Sequence, residues 1–179
     1  MKNIITERLI IRRFESEDWK DIYEYLSDEE VVKFEPYDVM TEEQVKVETE
    51  KRVGHESFYA VCLKDNQKMI GNIYLDKEDF DTFELGYVFN RRFSGQGYAT
   101  EGAKAVLDYA FKELSARRII AMCNPKNEAS WKLLERLKLR REGHLLQNIY
   151  FKTDDRNEPI WQDTYEYAIL KSEWDSSIT

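Results

Sequence analysis

The chain has 179 residues, 42% of them hydrophobic and 13% aromatic, with 35 acidic against 27 basic side chains and a net charge of −8. That length and composition fit one ordinary domain with enough bulky side chains to fill a core, and they exclude disordered, collagen-like and disulfide-scaffold chains. The negative balance argues against a nucleic-acid partner, no apolar run approaches the ~20 residues of a membrane span, and the charged opening Met1-Lys2-Asn3-Ile4-Ile5-Thr6-Glu7-Arg8 does not read as a signal peptide, so a cytoplasmic protein with no membrane partner is expected.

In chain order, residues 8–14 read as the first strand. Ser16 follows as the expected N-cap of a helix in which Trp19, Ile22, Tyr23 and Leu26 recur at helical spacing. A short helical turn is expected over 28–34. Thr41 with Gln44 three residues on is a capping box, and Val45, Thr49 and Val53 form a stripe that stops at Gly54. Three β-like runs follow, 57–63, 69–76 and 83–89, and the breaks between them are short enough to make an antiparallel meander. After a glycine-bearing loop over 90–97, Ala99, Ala103, Val106, Leu107, Ala110, Phe111 and Leu114 give the strongest helical pattern in the chain. A strand over 118–123, a helix from Asn127 bearing Leu133, Leu134 and Leu137, and two long β-like runs over 140–151 and 161–170 complete it. The order β-α-α-β-β-β-α-β-α-β-β predicts an α/β fold on a mixed sheet, antiparallel in its first part. No stretch is rich in Pro, Gly or Ser, so one domain over 1–171 and a C-terminal tail over 172–179 are expected. Cys62 and Cys123 lie in β-like runs and read as buried core thiols. No His/Cys/Asp/Glu cluster has ligand spacing, so no metal is expected.

Charge is unevenly distributed. Residues 15–50 hold 14 acidic and three basic side chains, a net −11 that leaves the rest at +3. The segment is either a set of solvated helical faces or a negative wall that attracts a cationic ligand. The most informative stretch is Arg92-Phe93-Ser94-Gly95-Gln96-Gly97-Tyr98-Ala99-Thr100, which joins a strand to the strongest helix. Two glycines spaced by one let the backbone turn tightly, the unpaired N–H groups of the first helical turn favour a phosphate, and Arg92 adds a positive charge. A Walker-type ending is absent. A dinucleotide fingerprint fails as well, because Thr100 stands where Gly or Ala is needed and the loop follows a meander at mid-chain. A glycine-rich helix start without a ligand is the other reading.

These residues resemble the GCN5-related N-acetyltransferase (GNAT) family, whose acyl-CoA signature Arg/Gln-x-x-Gly-x-Gly/Ala is matched by Arg92-x-x-Gly95-x-Gly97. The likeness is nearest to the branch typified by ribosomal-protein alanine acetyltransferases and covers nearly the whole chain. Thr6-Glu7-Arg8-Leu9-Ile10-Ile11-Arg12 resembles its opening strand, Glu84-Leu85-Gly86-Tyr87 its fourth strand and Gly97-Tyr98-Ala99-Thr100-Glu101 its helix start. Asn124-Pro125-Lys126-Asn127-Glu128-Ala129-Ser130 resembles its Asn-x-x-Asn-x-x-Ser segment, and Trp161-Gln162-Asp163 its closing strand. One departure is Leu137-Lys138-Leu139, where the branch usually runs Leu-Gly-Phe, so the usual glycine cap on the preceding helix is not expected.

The resemblance implies the acyl-CoA N-acyltransferase fold with acetyl-CoA as co-substrate. Its pantetheine arm would lie where the strand at Val88 and Phe89 splays from residues 121–124, Asn124 included. Its pyrophosphate would sit on the amides of Ser94, Gly95, Gln96, Gly97, Tyr98, Ala99 and Thr100, beside Arg92 and Phe93. Asn127 would contact the arm and Ser130 would protonate the departing thiolate. By position alone, Asn127 is a helix N-cap and Ser130 plain first-turn polarity. Glu84 is either the base that takes the amine proton through water or a solvent-facing strand carboxylate. His55 and His144 read as structural or surface residues, and Tyr87, Tyr98 and Tyr150 as core or rim aromatics. Acceptor contacts are expected from Glu30, Phe34, Glu35 and Tyr37, with Glu84, and from the nearby acids Glu29 and Asp38. The implied activity is direct transfer of acetyl to a primary amine, a protein N-terminal α-amine or a small amino-acid-like amine. An α-amine near pKa 8 costs about 1.4 kcal/mol to deprotonate at pH 7 against about 4.6 for a lysine-like amine, which favours the α-amine when the base is weak. The rival is a non-catalytic acyl-CoA sensor or scaffold. A monomer or a homodimer is expected.

Overall fold

Side-chain alternation and local caps set the first elements of the computed structural model, which describes residues 2–178. β1 (Ile4–Ile5) and β2 (Leu9–Arg12) form a hairpin in place of one longer strand over 8–14. A short 3-10 turn, Ser16–Asp18, leads into α1 (Trp19–Leu26). Glu15, not Ser16, caps that turn. Its N–H donates to Asp18 Oδ2 at 2.8 Å, and Asp18 also receives two bonds from the Arg12 guanidinium at 2.7 and 2.8 Å, so a carboxylate does the work expected of the serine hydroxyl. After the single turn α2 (Glu29–Val32), α3 (Glu42–Val53) begins at the expected capping box, with Gln44 N–H donating to Thr41 Oγ1 and Thr41 N–H to Gln44 Oε1. Its buried stripe is Val45, Thr49 and Arg52, whereas Val53 is 39% exposed. A buried guanidinium needs partners, and Glu48 and Asn72 supply them.

The meander is β3 (Phe58–Leu63), β4 (Met69–Lys77) and β5 (Thr82–Phe89). Then come α4 (Tyr98–Lys112), β6 (Arg118–Cys123), α5 (Glu128–Arg136), β7 (Arg140–Ile149) and β8 (Gln162–Leu170). Residues expected as a tail form α6 (Lys171–Ile178), whose Trp174 is buried near Phe111 and donates to Asp108 Oδ1 at 2.9 Å. One mixed sheet runs β1-β2-β3-β4-β5-β6-β8-β7, antiparallel at every pair except β5 and β6. Leu9, Ile11, Val61, Ile73 and Leu85 on one face share a core with Val106, Leu107, Ala110 and Phe111 of α4. Ala60, Cys62 and Met69 on the other lie with Ile22, Tyr25, Leu26 and Val45 of α1 and α3. Each large apolar side chain so buried contributes about 1.5–3 kcal/mol. β7 is the edge strand at the end opposite β1, exposed along nearly all its length, and its register with β8 slips between Arg141 and Gly143 and again between Leu145 and Ile149.

β5 and β6 pair in parallel through only three positions, Thr82 with Arg118, Phe83 with Ile119 and Glu84 with Ile120. Beyond them β5 stays with β4 as far as Phe89, and β6 stays with β8 as far as Cys123.

α5 ends in the cap that the missing glycine had made unexpected. Lys138 takes φ +66°, its N–H donates to the Glu135 carbonyl and the Leu139 N–H to the Leu134 carbonyl, both at 3.0 Å. Leu137 and Leu139 are buried on either side and hold the lysine backbone in a left-handed conformation that costs roughly 1 kcal/mol. Lys138→Gly is therefore expected to raise stability by about 0.5–1 kcal/mol, read as a higher denaturant midpoint at unchanged slope; a lower midpoint would show that the lysine stem contributes more than its backbone costs.

Candidate active site

The parted strands open into one cleft of about 1550 Å³ lined from both faces of the sheet. Alternation along β5 turns Leu85 and Tyr87 toward α4 and α5, and Glu84, Gly86 and Val88 toward the side of α1 and α3.

At the end of β5 the chain turns on Asn90, which is 2% exposed. Its N–H donates to the Ile70 carbonyl at 2.9 Å, its Oδ1 accepts the Arg92 N–H at 3.1 Å and its Nδ2 donates to Glu24 Oε2 at 3.1 Å. Gly95 at φ +75° and Gly97 at φ +83° then reverse the backbone into α4. The first helical bond is Glu101 N–H to the Gly97 carbonyl, so the N–H groups of Tyr98, Ala99 and Thr100 have no partner within the helix. The loop is clamped from the first hairpin. Arg8 donates to the Gln96 carbonyl at 2.9 Å and to Glu101 Oε2 at 2.7 Å, lies 4.4 Å over the Tyr98 ring, and shares Glu101 with the Thr6 hydroxyl. Phe93, Ser94, Gly95, Gly97, Tyr98, Ala99 and Thr100 line the cleft. Gln96 does not, and Arg92 is directed elsewhere, its side chain 74% exposed and 3.8 Å from Glu24. Arg91, paired with Asp28, and Lys104 carry the positive charge on this part of the lining.

On the α5 side, the Tyr87 hydroxyl donates to the Ser130 carbonyl at 3.0 Å and lies 3.1 Å from Ser130 Oγ. Burial pushes the Tyr87 phenol well above its ordinary pKa, so it stays protonated and its one proton is committed to the carbonyl. The Ser130 hydroxyl keeps its own proton, which faces the Tyr87 oxygen or the Cys123 sulfur at the cleft wall. Cys123 packs against the core as expected but is only half-buried and also lines the cleft, and burial pushes its thiol up to about 11 against an opposing hydrogen bond from Ser130. Asn127 caps α5, its Oδ1 accepting the Ser130 N–H at 3.2 Å, and it lines the cleft as well. Asn124 lines it too, its side chain held by Gln162 at 2.7 Å.

On the α1 and α3 side the lining includes Glu30, Phe34, Glu35, Tyr37, Val88, Arg52, Asn72, Tyr74 and Glu84. Burial pushes the Glu84 carboxyl up, and Glu78 and Asp76 add to the rise. Asp76 stands directly opposite Glu84 in the ladder and is held below its ordinary value by the Ser57 hydroxyl, with burial opposing and Tyr74 assisting. Burial also raises Glu35, against a hydrogen bond from Tyr37. The acidic segment is not a bare negative wall. Asp21 and Glu24 hold Lys68, Asp28 holds Arg91, Asp38 holds Lys152 at 2.7 Å and Glu48 holds Arg52 at 2.9 Å. Glu29 and Asp38 lie outside the lining. His55 lines the cleft and accepts the Ser57 N–H, whereas His144 pairs with Asp163 at 2.8 Å.

The anchors that sequence reasoning missed are Asn90, the Arg8 and Glu101 clamp, and the Arg52 and Asn72 pair. Asn72 did carry a signal, as the one amide in the apolar run Met69-Ile70-Gly71-Asn72-Ile73-Tyr74-Leu75.

The profile of the acetyltransferase (GNAT) domain matches residues 8–140. The chain is 41% identical to the uncharacterized N-acetyltransferase YnaD of Bacillus subtilis (strain 168) over 174 residues, 96% of this chain and 99% of that one. A crystal structure of a GNAT-family acetyltransferase from Bacillus anthracis matches with a TM-score of 0.87 and 40% identity, over 96% of this chain and 100% of that one. A spermidine N-acetyltransferase from Vibrio cholerae, solved with CoA and spermine, shares the fold at 20% identity, with a TM-score of 0.76 over 94% of this chain and 99% of that one. With the profile and a full-length relative in agreement, the chain belongs to the GNAT family, whose members use acetyl-CoA and act on amine acceptors, and it is an N-acetyltransferase.

Proposed function

We propose that the protein moves acetyl from acetyl-CoA directly to a primary amine, a protein N-terminal α-amine or a small amino-acid-like amine, with both substrates bound together. The observation that carries this reading is the passage between β5 and β6, which has a proton donor, Ser130, on one face and a carboxylate of raised pKa, Glu84, on the other. Unpaired backbone edges over 85–89 and 121–123 suit the amides of a pantetheine arm. The free N–H groups opening α4, with Arg91 and Lys104, suit its phosphates. Acetyl-CoA, when bound, supplies the activated acyl group.

The remaining chemistry falls to this chain. Glu84 accepts the proton that the acceptor ammonium must lose, directly or through one water. A backbone N–H on the open edge of β5 stabilises the negative charge that develops on the acetyl oxygen as the amine nitrogen bonds to the carbonyl carbon. The carbon–sulfur bond breaks, Ser130 passes its proton to the thiolate and takes back the second proton that the amine nitrogen sheds as the amide forms, and Tyr87 fixes the orientation of the serine. Cys123 remains a thiol and takes no covalent part. Release of free CoA thiol dependent on an added amine tests the reading; binding of acetyl-CoA with no thiol release from any amine would overturn it.

Three variants examine the parts. Gly97→Asp sets a side chain at φ +83° and a negative charge beside the free amides, so calorimetry is expected to show CoA binding lost in a folded protein; parental affinity would make the loop purely structural. Ser130→Ala is expected to lower turnover about 10- to 100-fold with little change in melting temperature, the modest effect of an acid acting on a leaving group with pKa near 8.5. An unchanged rate would reduce Ser130 to a helix-turn residue.

For Glu84 the sign follows from linkage. Its folded pKa lies above the ordinary 4.5, so the native state holds the proton more tightly than the unfolded chain, and ionisation lowers stability as pH rises from 4.5 through the folded value. Glu84→Gln is expected to match the parent's melting temperature below pH 4.5 and exceed it at neutral pH, while losing most of its rate. The parent's kcat/KM is expected to fall on the acid side as Glu84 protonates. A variant no more stable at neutral pH, or fully active, would remove Glu84 from the base role.

A further inference from the structure

Asn72 lies at the middle of β4 and is 3% exposed. Arg52 Nη1 donates to its Oδ1 at 3.0 Å and the Tyr25 hydroxyl donates to the same oxygen at 2.9 Å. A guanidinium has no acceptor, so the atom facing Arg52 must be the amide oxygen, and the amide nitrogen points the other way. Nδ2 donates to no group among the described residues. No fully buried side-chain nitrogen or oxygen among them lacks a partner, so Nδ2 reaches the open space of the cleft that Asn72 lines. Aspartate would accept both bonds with a stronger, charge-assisted contact to Arg52. What asparagine adds is the outward N–H pair.

Position gives that donor a purpose. Asn72 is opposite Val88 in the β4 and β5 ladder, on the stretch of β5 that has parted from β6, and neighbouring strands lie roughly 4.8 Å apart. It faces the same side of the sheet as Tyr74 and Glu84.

We propose that Asn72 reads the acceptor, its Nδ2 donating a hydrogen bond to a neutral oxygen carried two or three bonds from the amine that is acetylated. The inference rests on the acetyl-transfer reading above and adds a specificity-determining residue to it. The oxygen is neutral because the Arg52 charge is already met by Glu48 at 2.9 Å and Glu35 stands in the same lining, so a carboxylate would meet two acids. The acceptor class is an amine with an adjacent amide, ester or hydroxyl oxygen, as opposed to an aliphatic diamine or polyamine.

Alaninamide and sec-butylamine are similar in size, and only the first carries the oxygen. The measurement is the ratio of their kcat/KM values in the parent and in Asn72→Asp, which keeps the oxygen that receives Arg52 and Tyr25 and replaces the outward donor with an acceptor. Comparing the two proteins cancels the differing basicity of the amines. The ratio is expected to fall about tenfold or more, the effect of exchanging a hydrogen bond for an unpaired or opposed buried group. Melting temperature and CoA affinity establish that the variant is folded, and Asn72→Ala, which withdraws the donor without adding charge, gives the same fall if the aspartate variant does not fold. A ratio that moves less than twofold would make Asn72 a structural residue and overturn the proposal. Free alanine outcompeting alaninamide in the parent would overturn the neutral-oxygen assignment. If the parent binds acetyl-CoA and no amine at all makes it release thiol, the acetyl-transfer reading fails and takes this inference with it; a parent that acetylates other amines and neither of these two overturns this inference alone.

Discussion

Two neighbouring strands that stop pairing while each keeps its other partner are the constraint on which the site depends. β5 and β6 share three paired positions and then part, one held by β4 and the other by β8. A buried backbone N–H or carbonyl without a partner costs about 1–3 kcal/mol, so such a gap is an arrangement waiting for an extended chain of amides. The separation also joins the two faces of the sheet. Tyr87 and Ser130 on one side and Glu84 and Asn72 on the other belong to a single cleft only because no ladder closes between them.

Charge in this molecule locates more than it stabilises. The acids of the first helical region are met by bases from other elements, Lys68, Arg91 and Lys152 among them. Exposed pairs of this kind are worth at most about 1 kcal/mol each. Their effect is geometric. Glu24 alone touches Lys68, Asn90 and Arg92, and so ties α1 to the strand end and loop that follow β5. Asp76 and Glu84 show the other use of charge, since two facing carboxyls in different hydrogen-bonding surroundings are driven apart in proton affinity.

Periodicity and short breaks made the meander, α4 and the capping box at Thr41 legible, because these are local properties of the chain. The positive-φ glycines and the unpaired start of α4 were legible for the same reason. What was not legible depended on distant partners. Arg52 replaces Val53 inside because Glu48 and Asn72 satisfy it, which no helical stripe reveals. Glu15 replaces Ser16 at a cap because Asp18 is already fixed by Arg12. Arg92 matches the acyl-CoA signature, yet Glu24 draws its side chain away and Arg91 takes the lining position. Lysine at 138 supports a left-handed turn because two buried leucines flank it.

The two slips in β7 bear on how well its edge could template a further strand. A ten-residue strand at a sheet edge, bearing Leu145, Leu146 and Ile149, offers an incoming chain a ready template for edge-to-edge association. The slips break that template, since paired positions run over 140–141, then 143–145, then Ile149, never more than three in succession. An approaching strand would lose register before it gained a second turn of pleat, and Arg140 and Arg141 would have to be desolvated at its first contact. The interruptions that look like imperfections in the hairpin thus make its longer free edge a poor template.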